Sequence, residues 1–232
     1  MYTLHIANKN YSSWSLRPWV LMTYLNIPFE ESISPFQSGS NWQSFRNFSP
    51  TGLVPCLVDQ SVEGEPTVVW DSLAIIEYLA EQHSGVWPDN LMARTWARSA
   101  TAEMHSGFSA LRNQCPMSCG IRVAMTIQTE ALQKDLARID ELWTQGLSMF
   151  GGEFLAGDQF TAVDAFYVPV AFRIRSYGLV LSESSMAYVD RLLALPSVKQ
   201  WEQDALAETW REEAHEQEAE QFGTITHDLR AQ

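Results

Sequence analysis

The hydrophobic pattern of this chain switches once, from short alternating runs to helical spacing, and that switch limits the fold more than any motif does. Residues 2–7 alternate, with Leu4 and Ile6 on one side, as a half-buried strand does. A polar loop over 8–15 leads into Leu16, Trp19, Val20 and Thr23 at helical spacing. Ser13 or Ser15 can cap this helix, and with Ser15 as cap Pro18 takes the third helical position, where its missing N–H has no intrahelical partner. Asn26-Ile27-Pro28 ends the helix and residues 29–33 read as a second strand, completing a βαβ unit. After a loop with one helical turn around 42–48, residues 53–58 and 68–70 read as a hairpin across a turn containing Gly64 and Pro66. Asp71 and Ser72 then open a helix with Leu73, Ile76, Leu79 and Ala80 on one stripe. Past Ser84-Gly85 and Trp87-Pro88, strand signals stop: 93–112, 121–150, 161–177, 184–195 and 198–210 all read as helices, the third with Pro169 expected to kink it. The expected architecture is an α/β unit over 1–82, a linker over 83–91 and an all-α helical bundle over 92–232, whose acidic tail after Glu208 reads as a solvated helix or frayed end.

Composition narrows what such units can bind. A formal charge of -13 and a pI near 4.7 argue against nucleic acid and anionic membranes as partners, because both are held by Lys and Arg. The first residues show no basic stretch followed by an apolar run, and no segment approaches about eighteen apolar residues, so a soluble, cytoplasmic protein is expected. Cys56, Cys115 and Cys119 are odd in number and lack the spacing of a redox or zinc pair, so they read as reduced packing residues, with no metal. Phosphate loops, dinucleotide fingerprints and Gly-x-Ser-x-Gly elbows are absent, which removes several enzyme classes.

Four segments carry chemistry or capping: Tyr11-Ser12-Ser13-Trp14-Ser15-Leu16-Arg17, Ser49-Pro50-Thr51-Gly52-Leu53-Val54-Pro55, Asp71-Ser72-Leu73-Ala74-Ile75-Ile76-Glu77-Tyr78-Leu79 and Gly157-Asp158-Gln159-Phe160-Thr161-Ala162-Val163-Asp164. Taken singly, each has a plain structural meaning. The serines are loop and cap residues, Pro55 is a trans proline at an edge strand, Asp71 or Ser72 is an N-cap, and Thr161 with Asp164 is a capping box. Met104, Phe108 and Leu111 share a helix face suited to interhelix packing, and Arg112 fits a surface ion pair. His105 has no visible partner and His5 alternates onto the outer face of a strand, so neither receives a role.

In this order, however, the four segments resemble the cytosolic glutathione transferases over nearly the whole chain. The first is similar to the Ser-Ser-Cys-x-Trp-Arg motif of the zeta and related serine-type classes, from which it departs at Trp14 and Leu16. The resemblance implies a thioredoxin-like first domain, glutathione as cosubstrate, a homodimer, and conjugation of the thiolate to small hydrophobic electrophiles. It implies Ser12 as the catalytic residue, with Ser13 as the alternative, and glutathione contacts from Ser12, Ser13, Trp14, Val54, a cis Pro55, Asp71 and Ser72. It places Met104, Phe108 and Arg112 at the electrophile pocket. Serine here stabilises a charge: a hydrogen bond to a thiolate contributes about 1.5–3 kcal/mol, so no His-Asp partner is required. Isomerisation of a maleyl-type substrate and binding without turnover are the alternatives, the first weakened by Trp14 where the zeta class has its cysteine.

Overall fold

The computed structural model describes residues 1–61 and 64–231. Strands β1 (Tyr2–Ile6), β2 (Phe29–Ile33), β3 (Cys56–Asp59) and β4 (Thr67–Trp70) form one sheet in the order β2-β1-β3-β4. β1 runs parallel to β2 and antiparallel to β3, and β3 and β4 form the expected hairpin. Helix α1 (Ser13–Tyr24) makes the βα crossover, α2 (Trp42–Phe45) is a single turn in the connector, and α3 (Ser72–Ala80) follows β4. α1 is buried along most of its length because α3 flanks it within this unit while α7 and α9 cover it from the second half.

The second half contains α4 (Leu91–Ser106), α5 (Ser109–Gln114), β5 (Ile121–Met125), α6 (Glu130–Phe150), α7 (Ala162–Tyr177), α8 (Glu183–Ala194), α9 (Pro196–Ala207), α10 (Glu213–Glu220) and β6 (Gly223–Asp228). α7 is the central helix, buried all round as its apolar sequence requires. Its start is held by the fully buried Asp164, which accepts hydrogen bonds from the N–H groups of Thr161 (2.9 Å) and Leu155 (3.0 Å) and from the Tyr188 hydroxyl (2.8 Å). Burial pushes the Asp164 carboxyl up to about 6, against the pull of those donors.

Four expectations are corrected. Pro18 is the sixth residue of α1, not the third, because Ser12 rather than Ser13 or Ser15 is the cap; the Trp14 carbonyl loses its helical donor as a result. The helix expected over 93–112 breaks at Gly107-Phe108, where Phe108 adopts a left-handed φ of 58° and a Cβ on Gly107 would lie 2.8 Å from the Glu103 carbonyl. The stretch 121–125 is a strand, and the helix behind it starts only after the Thr129 cap. The acidic tail is not a frayed end: α10 is a helix with Glu213, Gln217 and Glu220 exposed to solvent, yet it and β6 fold back, β6 pairs antiparallel with β5, and the buried Arg230 guanidinium bridges Glu216 (2.8 Å) and Asp228 (2.6 Å).

One residue before the serine motif ties the halves together. The Lys9 ammonium lies over both the Trp19 and Trp201 rings, which meet edge-on, and pairs with Glu31 and Asp204, each at 2.7 Å. Its N–H donates to Glu208 (2.6 Å), and its carbonyl accepts from the Trp201 indole (3.0 Å).

Candidate functional site

The turn after β1 delivers Tyr11, Ser12, Ser13 and Trp14 to one wall of a cleft of about 340 Å³ between the two halves. The facing walls come from Phe36, Leu53 and Val54 of the first half and from Arg112, Met117 and Arg173 of the second, with His215 and Glu218 of α10 closing one side. The Val54-Pro55 peptide bond is cis.

Ser12 is the N-cap of α1. Its Oγ accepts from the Ser15 N–H (3.4 Å) and donates to Ser15 Oγ (2.7 Å), which in turn accepts from the Ala7 N–H (3.3 Å). The hydroxyl therefore sits at the positive end of a helix, on a wall of the cleft, with a second hydroxyl behind it. Ser13 Oγ accepts from Arg173 Nη2 at 3.4 Å. Tyr11 is not a free donor: its hydroxyl is bonded to Glu216, and burial holds its pKa above the usual phenol value. His215 is stacked between the Tyr11 and Phe36 rings, each at 4.9 Å, so α10 is part of the wall.

Asp71 and Ser72 lie at the start of α3, off the cleft wall but coupled to it. Asp71 adopts φ 74°, ψ 135°, a strained conformation for a residue with a Cβ, and caps the helix through the Leu73 N–H (2.8 Å). Its other oxygen faces His105 Nε2 at 3.5 Å, and the His105 ring meets Trp14 edge-on. Burial lowers the His105 pKa in spite of Asp71. Ser72 Oγ accepts from Arg17 Nη1 at 3.4 Å, and the Arg17 guanidinium stacks on Trp14, its carbon 4.0 Å from the ring centroid. The Arg112 guanidinium also lies over the Trp14 ring, 4.9 Å from its centroid.

The structure thus brings Ser12, Ser13, Trp14, Val54 and Arg112 to one cleft, with Pro55 buried beside Val54. Met104 is fully buried in the core and Phe108, at the α4–α5 break, is 7% exposed; neither lines the cleft. Sequence reasoning missed Arg173, His215 and Glu218. Arg173 had a signal, a charge in the middle of a mostly apolar helix that also carries Asp164 and Arg175, whereas His215 and Glu218 sit in a polar segment with nothing to distinguish them. Among the described residues no group of three or more His, Cys, Asp or Glu side chains converges as a metal site, and no helix is long and apolar enough to cross a membrane.

Comparison with known proteins agrees with this fold. Residues 11–82 match the family model described as glutathione S-transferase, N-terminal domain, and residues 94–204 match the corresponding C-terminal domain. Over 180 residues the chain is 24% identical to glutathione S-transferase GstB of Escherichia coli strain K12, spanning 69% of this chain and 78% of that protein. It is 25% identical over 180 residues to a probable maleylacetoacetate isomerase of Caenorhabditis elegans, spanning 74% and 78%. The crystal structure of a glutathione transferase homolog from Burkholderia gl BGR1, with bound glutathione, superposes with a TM-score of 0.66 at 22% identity, covering 88% of this chain and 97% of that one. With both domain models matched in order on either side of the cleft, the chain belongs to the glutathione S-transferase family.

Proposed function

We propose that the protein binds glutathione in this cleft and conjugates its thiolate to small electrophiles, with Ser12 stabilising the thiolate. The observation that carries the proposal is the Ser12 hydroxyl, an α1 cap on the cleft wall beside the Val54-Pro55 segment. Hydroxyl protons rotate, so Ser15 can donate to Ser12 Oγ while Ser12 donates to the sulfur. Together with the helix dipole, that hydrogen bond favours thiolate over thiol. The strained Asp71, the backbone N–H groups at the start of α3, and Ser72 backed by Arg17 fit the γ-glutamyl end of the tripeptide. Its cysteinyl backbone pairs with Val54. Ser13 is the second candidate donor to sulfur, because its Oγ accepts from Arg173 and its own proton has no acceptor among the described residues.

On this reading residues 1–82 form the glutathione unit, 83–91 the linker and 92–232 the helical unit of a cytoplasmic homodimer. The edge strand β4 and helix α3 carry Val68, Val69, Trp70, Leu73 and Ala74 along one apolar groove, which supports pairing of two copies there. Maleyl isomerisation is the competing enzymatic reading, favoured by the nematode relative and opposed by Trp14 in place of cysteine. Retention on immobilised glutathione together with turnover of an activated aryl halide is the expected outcome. Retention without turnover of either an aryl halide or a maleyl ester makes the protein a binder. No retention and no turnover refutes the proposal.

A further inference from the structure

The cleft belongs to an acidic protein, yet its buried charge is cationic. Arg17, Arg112 and Arg173 lie close enough that burial and mutual repulsion lower the pKa of Arg17 well below the usual guanidinium value and pull Arg173 down to about 10. Among the described residues none of the three forms an ion pair, although Arg98, Arg138, Arg175 and Arg230 all do. Their hydrogen bonds go to neutral oxygens. Arg173 donates to the Cys115 carbonyl (2.8 Å), the Pro169 carbonyl (3.4 Å) and Ser13 Oγ (3.4 Å). Arg112 donates to the Gly107 carbonyl (3.0 Å) and to those of Met104 and His105, leaving Nη1 buried without a partner. Arg17 is sealed behind Trp14 and Phe166, with Nε and Nη2 also unpartnered.

A buried guanidinium without a counter-ion is costly, and stacking on Trp14 offsets only part of that cost. The acids nearby do not serve. Asp135 is committed to the Leu111 N–H, Asp71 to the Leu73 N–H and His105, and Glu218 is solvent-exposed on the α10 side of the cleft. Arg17, bonded to Ser72, faces the end of the site assigned above to the γ-glutamyl group. Arg112 and Arg173 line the cleft itself, on the side that the helical half contributes, and the glutathione assignment gives neither a carboxylate: Arg173 enters it only through its bond to Ser13 Oγ.

We propose that the second substrate of this cleft is an organic acid carrying an electrophilic carbon, its carboxylate held by Arg112 and Arg173. The planar guanidinium fork suits a carboxylate, and Arg173 bonded to Ser13 Oγ brings that anion subsite next to the sulfur position. The inference rests on the transferase reading for its chemistry: a carbon–sulfur bond forms, the leaving group departs with its electron pair, and the thiol proton goes to solvent. The positive subsite itself does not depend on that reading.

The test is a matched pair of ligands that differ in charge and little in shape. Calorimetric titration of the wild-type protein with 3,5-dinitrobenzoate and 3,5-dinitrobenzamide, without glutathione, is expected to show the acid binding at least about tenfold more tightly, the equivalent of one charge-assisted hydrogen bond. This preference would run against the net charge of -13. Arg112→Gln and Arg173→Gln each bring the ratio towards one. Because Arg112 also holds carbonyls at the end of α4, the wild-type comparison decides alone if that variant does not fold. Equal affinities, or no uptake of the acid at millimolar concentration, overturn the proposal. Turnover of 4-chloro-3,5-dinitrobenzoate and its amide with glutathione separates the two readings. Preferential binding of the acid with no turnover of either halide removes the transferase reading and leaves the subsite standing, whereas equal binding with equal turnover does the reverse.

Discussion

Replacing Ser12 by alanine removes two things at once, and the structure gives each its own readout. The first is the proposed donor to sulfur. A hydrogen bond to a charged group is worth about 1.5–3 kcal/mol, or roughly one to two pKa units on a thiol whose ordinary value is near 8.5. Part of that gain is offset in the wild type, because Ser12 must turn its proton away from Ser15 Oγ, now at 2.7 Å, before it can serve the sulfur. The Ser12→Ala variant is therefore expected to raise the pKa of bound glutathione by about one unit, read from the ultraviolet absorbance of the thiolate as pH is varied. Conjugation slows about tenfold below neutrality and approaches the wild-type rate in alkali, where the thiol ionises unaided. The second loss is the helix cap: the Ser15 N–H loses its acceptor, which costs about 1 kcal/mol and lowers Tm by about 2–4 °C. If the Tm falls while the thiol pKa and the pH–rate profile stay where they were, Ser12 is a cap and nothing more. The thiolate then belongs to Ser13, and Ser13→Ala should show the missing shift.

Two further outcomes follow from burial. Asp164 is held at about 6 in the fold against 3.8 when unperturbed, so its contribution to stability is complete below about pH 4 and is lost as pH rises through 6. Relative to Asp164→Asn, which does not titrate there, the wild type should lose on the order of 3 kcal/mol between pH 4 and pH 7 in urea unfolding, and a gap independent of pH contradicts the assignment. Burial pushes the Cys56 and Cys115 thiols up to about 11 and about 12, and Cys119 higher still. An aromatic disulfide reagent should therefore label none of the three in the native protein within minutes near neutral pH, and all three after denaturation; a rapid native burst of one equivalent would show that a thiol is open.

The parts of this molecule that were legible in the sequence are those specified locally. Alternation at Leu4 and Ile6 and the Thr161–Asp164 capping box each carry their structure within a few residues. The errors have two causes: local backbone choices that the hydrophobic period does not register, and a pattern overruled by a distant partner. The apolar spacing of Met104, Phe108 and Leu111 runs straight through Gly107, so nothing in the period shows that the helix stops there. Ile121–Met125 is too short to assert itself, and becomes a strand because Gly223–Asp228 arrives alongside it. The left-handed φ of Asp71 leaves no trace in an Asp-Ser pair that looks like any helix cap. The cation cluster was half visible: Arg112 was singled out, whereas Arg173 acquires meaning only once α7 is set beside the serine turn.

Lys9 bears on how proteins of this architecture can be recombined. Glu208, Trp201 and Asp204 of the helical half hold its N–H, its carbonyl and its ammonium, so the turn that presents the serines takes its position from residues nearly two hundred places away. A hybrid that joins the first half of this protein to the second half of a distant relative would inherit the Ser12-Ser13 sequence without its mooring. Its halves would fold and still misplace the hydroxyls. For engineering by exchange of parts, the unit to transplant is the serine turn together with the end of α9 and the residues that follow it.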